Sequence, residues 1–73
     1  MAHIEIQCEV TGKVWKTLVP EGTPIAAEEP ILIVESMKME IPVMSDKAGT
    51  LIELRVQEGD AVEDGQVIAI VRV

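Results

Sequence analysis

Residues 3–10, His-Ile-Glu-Ile-Gln-Cys-Glu-Val, alternate polar and apolar with a period of two, as a strand with one wet face does. Further β-rich runs occupy residues 13–19, 31–35, 39–43, 50–56 and 67–73. Between them stand turn formers: Glu58-Gly59-Asp60, Asp64-Gly65-Gln66 and Glu21-Gly22-Thr23, each with a glycine free to take positive φ. Pro24, Pro30 and Pro42 suit strand starts or edges, because proline has no N–H for a central ladder. No window sustains a capped apolar period of 3.6, so the pattern predicts an all-β chain without a helix of consequence.

The pattern also repeats. Shifted by 37 positions, residues 3–36 fall on 40–73 with eight identities in 34 pairs, where composition alone gives roughly three. Gly12 lies over Gly49, Val19 over Val56, Glu21-Gly22 over Glu58-Gly59, and Ile31, Ile33 and Val34 over Ile68, Ile70 and Val71. Two such β-units are expected to pack face to face about an approximate two-fold, as one domain over residues 1–73. Only Met37-Lys38-Met39 is left unpaired, at the junction of the halves. A tight hairpin is predicted there, with its tip in water.

Composition narrows the reading. A 73-residue chain has a thin core, and with one aromatic residue, Trp15, that core must be built from Ile, Val, Leu and Met. A deep catalytic cleft is not expected, and no residue is assigned a catalytic role. Thirteen acidic against six basic residues give a net charge of −7, which excludes a nucleic-acid binder. Lys13 and Lys16 read as the wet face of a strand. The lone Cys8 permits no internal disulfide, and His3 has no companion ligands, so no metal site is expected. No leader pattern is visible and the longest apolar run, residues 67–71, is too short to span a membrane, so the cytoplasm is the expected compartment.

Lys38 is the candidate for chemistry. An exposed lysine at a turn is ordinarily a solubility residue; two flanking methionines and a position between repeats are not ordinary. Glu35-Ser36-Met37-Lys38-Met39 resembles the attachment motif of the biotinyl domain family, Glu-(Ala/Ser)-Met-Lys-Met. Gly59-Asp60, Val62, Gly65-Gln66 and Ile68 resemble the turn signature of that family's second half. The resemblance runs over nearly the whole chain. It implies a flattened barrel of two four-stranded antiparallel sheets with quasi-two-fold symmetry, Lys38 as the biotinylated residue and Met37 and Met39 as its flanks. It implies the role of a biotin carboxyl carrier, as in acetyl-CoA or other acyl-CoA carboxylases. A biotin protein ligase would modify Lys38, and a biotin carboxylase and a carboxyltransferase would share the arm.

The chemistry of the residue agrees with that role. A lysine amine forms an amide with a carboxylate that a ligase has activated, and being mostly protonated at neutral pH it needs a base from the ligase. Stem and biotin chain together make an arm on the order of 15 Å. Glu35, Ser36 and Glu40 either orient the lysine or are ordinary edge residues.

Other positions receive plainer readings. Trp15, which falls over Ile52, and Met44 are assigned to packing, and Cys8, over Ser45, to a tolerated small residue. Asp46-Lys47-Ala48 matches the core of the lipoyl attachment motif but lies away from the predicted tip and is rejected. Thr23 stands where the family favours aspartate and Glu28 where it favours glycine; the turn at Glu28 is expected to be rerouted. The close register of the halves leaves no room for the protruding thumb of some bacterial carriers. Two alternatives remain: a lipoyl carrier using the same lysine, and an unmodified β-sandwich interaction module.

Overall fold

A computed structural model of the chain describes residues 2–73 as eight strands and, among those residues, no helix. The strands are β1 (His3–Gln7), β2 (Gly12–Thr17), β3 (Pro24–Ile25), β4 (Pro30–Ser36), β5 (Met39–Met44), β6 (Gly49–Leu54), β7 (Ala61–Val62) and β8 (Val67–Arg72). They form two four-stranded antiparallel sheets, ordered β1-β8-β6-β3 and β5-β4-β2-β7. The prolines fall where a missing N–H is harmless: Pro24 and Pro30 open strands, and Pro42 lies on the edge strand β5.

The second sheet is the first moved on by 37 residues, strand for strand. Neither sheet belongs to one half of the chain. β1 and β3 join β8 and β6 of the other half, while β7 and β5 join β2 and β4. Hydrogen bonds across the halves match in pairs. Gly22 N–H donates to Leu51 O at 2.6 Å and Gly59 N–H to Val14 O at 2.8 Å. Each half therefore completes the other's sheet, and neither can satisfy its own edges alone.

Leu32, Val34, Leu51, Val62, Ile68 and Val71 fill the space between the sheets with little or no exposure, each contributing roughly 1.5–3 kcal/mol of burial. Gly12 and Gly49 let neighbouring strands of one sheet close on each other, β2 on β4 and β6 on β8. A Cβ on Gly12 would stand 2.3 Å from Glu35 O, and one on Gly49 2.3 Å from Arg72 O, the same clash at two-fold-related places.

Three expectations need correcting. Trp15 is 49 % exposed: register shifts at Val14/Lys16 and at Leu51/Glu53 make Trp15 and Ile52 the extra residues of matched β-bulges, turned to the outer face. Met44 is also on the outside, and Met37, Met39 and Met44 are all exposed, so the core is Ile, Val and Leu with Cys8 and Ala69 and holds none of these methionines. The turn at Glu28 is not rerouted. Glu28 sits at φ +63° and its N–H donates to Ser45 O at 2.7 Å, as Gly65 (φ +89°) donates to Cys8 O at 2.7 Å. A glutamate thus occupies the left-handed region that its two-fold mate fills with glycine.

Thr23 has a local reason. Asp60 Oδ2 accepts from Gln57 N–H at 2.9 Å, but the residue matched to Gln57 is Pro20, which has no N–H to give. The turn keeps its shape through Gly22 at φ +89°, as Gly59 does at +93°.

Candidate functional site

β4 and β5 are paired to their last residues, with Ser36 opposite Met39, so only Met37 and Lys38 remain to turn the chain. Both take positive φ, 51° and 66°, which is a two-residue type I′ turn whose twist suits the strands it joins. Such turns ordinarily use Asn-Gly. A methionine and a lysine here cost on the order of 1 kcal/mol each, strain the fold alone does not require.

The tip stands clear of the body. Lys38 is exposed, and Met37 and Met39 are 92 % and 64 % exposed. Neither methionine is packing the core, so the gap-filling use of thioethers does not explain them. Among the described residues the one ion pair joins Arg55 to Glu53, leaving the Lys38 ammonium without a carboxylate partner. The amine therefore has free access to an activated acyl group.

The hairpin stem is fixed from behind. Ser36 Oγ donates to Thr11 O at 2.7 Å, and Thr11 Oγ1 accepts from Asp64 N–H at 3.2 Å in the turn that holds Gly65. Ser36, read from the sequence as either orienting the lysine or an ordinary edge residue, spends its hydroxyl inward as an anchor. Glu35 and Glu40 face each other across the ladder, both exposed, with Lys13 opposite Glu35 on the far side. Two like charges directly opposed weaken a hairpin slightly, so this pair is no source of stability to it.

The remaining site residues fall elsewhere. Gly22, Gly59 and Gly65 shape turns. Lys47 lies three residues past the end of β5, whose six residues alone run roughly 20 Å from the tip. Its N–H is bound to Ser45 Oγ at 3.1 Å. His3 is exposed on β1, and no group of three potential metal ligands occurs among the described residues. The Ser36–Thr11–Asp64 link was missed in the sequence because it joins residues far apart in the chain, without a local pattern.

Residues 4–71 match the family model described as "Biotin-requiring enzyme". The Biotin/lipoyl attachment protein of Bacillus subtilis is 38 % identical over 63 residues, covering 86 % of each chain. The Biotinylated protein TB7.3 homolog of Mycobacterium leprae is 34 % identical over 67 residues, covering 92 % of this chain and 94 % of that one. Among solved structures, Kluyveromyces lactis urea carboxylase superposes with a TM-score of 0.93 at 29 % identity, over 99 % of this chain and 6 % of its own. The chain belongs to the biotin/lipoyl attachment domain family, a family of carrier domains.

Proposed function

We propose that the chain is a biotin carboxyl carrier with Lys38 as its attachment residue. The observation that carries this is the two-residue turn, which spends backbone strain to hold an unpaired lysine at an exposed hairpin tip. Lys38 acts as nucleophile once: its deprotonated amine attacks a carboxylate activated by a biotin protein ligase, an amide forms, and the activating group leaves. Met37 and Met39 give the ligase an apolar grip on either side, and Ser36 keeps the stem from swaying. Biotin bound there supplies a ureido nitrogen that holds a carboxyl group for transfer. The body works by tethering: an arm of about 15 Å replaces diffusion with a high local concentration at the carboxylase and the carboxyltransferase.

Incubation of the chain with a biotin ligase, ATP and biotin, followed by intact-mass measurement, tests the assignment. One biotinyl adduct on the native chain and none on Lys38→Ala is the expected result; no adduct on folded native chain refutes it. A lipoyl carrier on the same lysine is the second reading, favoured by the name of the Bacillus subtilis relative. The mass of the adduct separates the two.

A further inference from the structure

The two-fold also shapes the side of the molecule beside the hairpin. β1 and β5 are edge strands, each paired with one neighbour only, and the seam between them opens into two clefts. A shift of 37 residues relates the clefts. Both include Gln7, Glu9 and Met44, while Glu5, Ile6 and Asp46 of one fall on Pro42, Val43 and Glu9 of the other. Backbone pairing asks the same of both, so side chains and distance from the tip are what distinguish them. One cleft, of about 200 Å³, joins Val10, Ile41, Pro42 and Met44 to the polar Gln7 and Glu9. The other has Glu5 in place of Pro42, a further carboxylate in Asp46, and neither Val10 nor Ile41.

Resting on the carrier reading above, we propose that the less acidic cleft seats the biotin rings of the finished arm while no enzyme holds them. Reach admits this cleft and not its mate. Ile41 and Pro42 follow Lys38 on the same hairpin, roughly 10–13 Å along the strand, within an arm of about 15 Å. Of this stretch the other cleft has only Met44 and Asp46, and Met44 is already roughly 20 Å along the strand. Size agrees. A volume of about 200 Å³ is below the roughly 300–1,000 Å³ of pockets for drug-sized ligands and suits two fused five-membered rings. The chemistry agrees as well. Those rings have an apolar thioether edge for Ile41 and Pro42, and a ureido edge with one C=O and two N–H groups. The exposed primary amide of Gln7 offers the complementary donor and acceptor, and Glu9 a further acceptor. A lipoyl dithiolane has no such polar edge. Little affinity is needed, because a short tether holds the rings at millimolar effective concentration, so a Kd of about 1 mM fills the seat roughly half the time. The apparent affinity of a partner for the rings then falls about twofold.

The test uses isotope-labelled chain carrying unlabelled biotin on Lys38, so that nuclear Overhauser contacts between rings and protein are read directly. Gln7→Glu removes the amide donor at nearly constant shape. Pro42→Glu installs the residue of the two-fold mate, Glu5; should the edge strand not tolerate it, Gln7→Glu alone carries the test. The expected result is ring contacts to Val10, Ile41 and Pro42 in the native chain, and none to Glu5 or Asp46. Each substitution weakens those contacts at least threefold, while the biotinylation rate and the contacts of the arm with Met37 and Met39 stay unchanged. Ring contacts confined to Met37 and Met39 overturn the proposal, as do contacts spread over both clefts or contacts that neither substitution weakens. A folded chain that takes no biotin from an active ligase refutes the carrier reading, and the seat with it; its mass shows that before any spectrum is taken.

Discussion

Replacing Glu28 by glycine should stabilise the protein, although it removes a side chain and adds freedom to the unfolded chain. Glu28 is exposed at φ +63°, and its two-fold mate Gly65 makes the same backbone bond at φ +89°. A non-glycine residue in the left-handed region costs about 1–2 kcal/mol. Against this, glycine lowers stability by about 0.4–1 kcal/mol through the unfolded state. The balance is a gain of about 0.5–1 kcal/mol, or roughly 3–6 °C in melting temperature for a domain of this size. Because the change also removes a negative charge from a chain at −7, Glu28→Ala is the proper reference. It loses the same carboxylate and keeps the Cβ. Thermal unfolding followed by circular dichroism gives both values. A Glu28→Gly variant no more stable than Glu28→Ala would refute the reasoning, by showing that the backbone at 28 is not held in the left-handed region.

Other consequences are as direct. Gly12→Ala and Gly49→Ala each drive a Cβ to 2.3 Å from a backbone oxygen and should cost about 2–4 kcal/mol in urea titrations, equally for the pair since the clash is two-fold related. Ser36→Ala loses the 2.7 Å bond to Thr11 O and should cost about 1 kcal/mol on the same measurement. Ala2 and Val73 bond to each other at the place matched to Met39 and Ser36. Joining Val73 to Ala2 through Asn-Gly should therefore build a second type I′ turn and stabilise the chain by up to about 4 kcal/mol in the loop-entropy limit. A cyclised chain melting no higher than the linear one would contradict the two-fold.

The all-β character and the two-fold were legible because the chain states its strands twice, once in each repeat, with glycines marking the turns; that each sheet mixes strands of both halves, rather than the halves packing face to face, was not. The hairpin tip was legible for the complementary reason: Met37-Lys38-Met39 is what the repeat leaves over. Trp15 was misread because a β-bulge adds a residue and breaks the period of two. Val14 and Thr17 both point inward with two residues between them rather than one. Met44 was misread through its hydrophobicity, though alternation from buried Val43 already turned it outward. The conformation of Glu28 was written in its mate, Gly65, and only the assumption that glutamate avoids positive φ hid it. β3 and β7, two residues each, are too short to leave any periodicity. The inward use of Ser36 depends on Thr11, 25 positions away, which no local pattern records.

The most direct measurement is a peptide mass map of the chain purified from the cells that make it. Biotin on the peptide containing Lys38, with Lys47 unmodified, is the predicted result. A chain found unmodified, or carrying its cofactor on Lys47, would contradict the assignment of the strained hairpin as the attachment site.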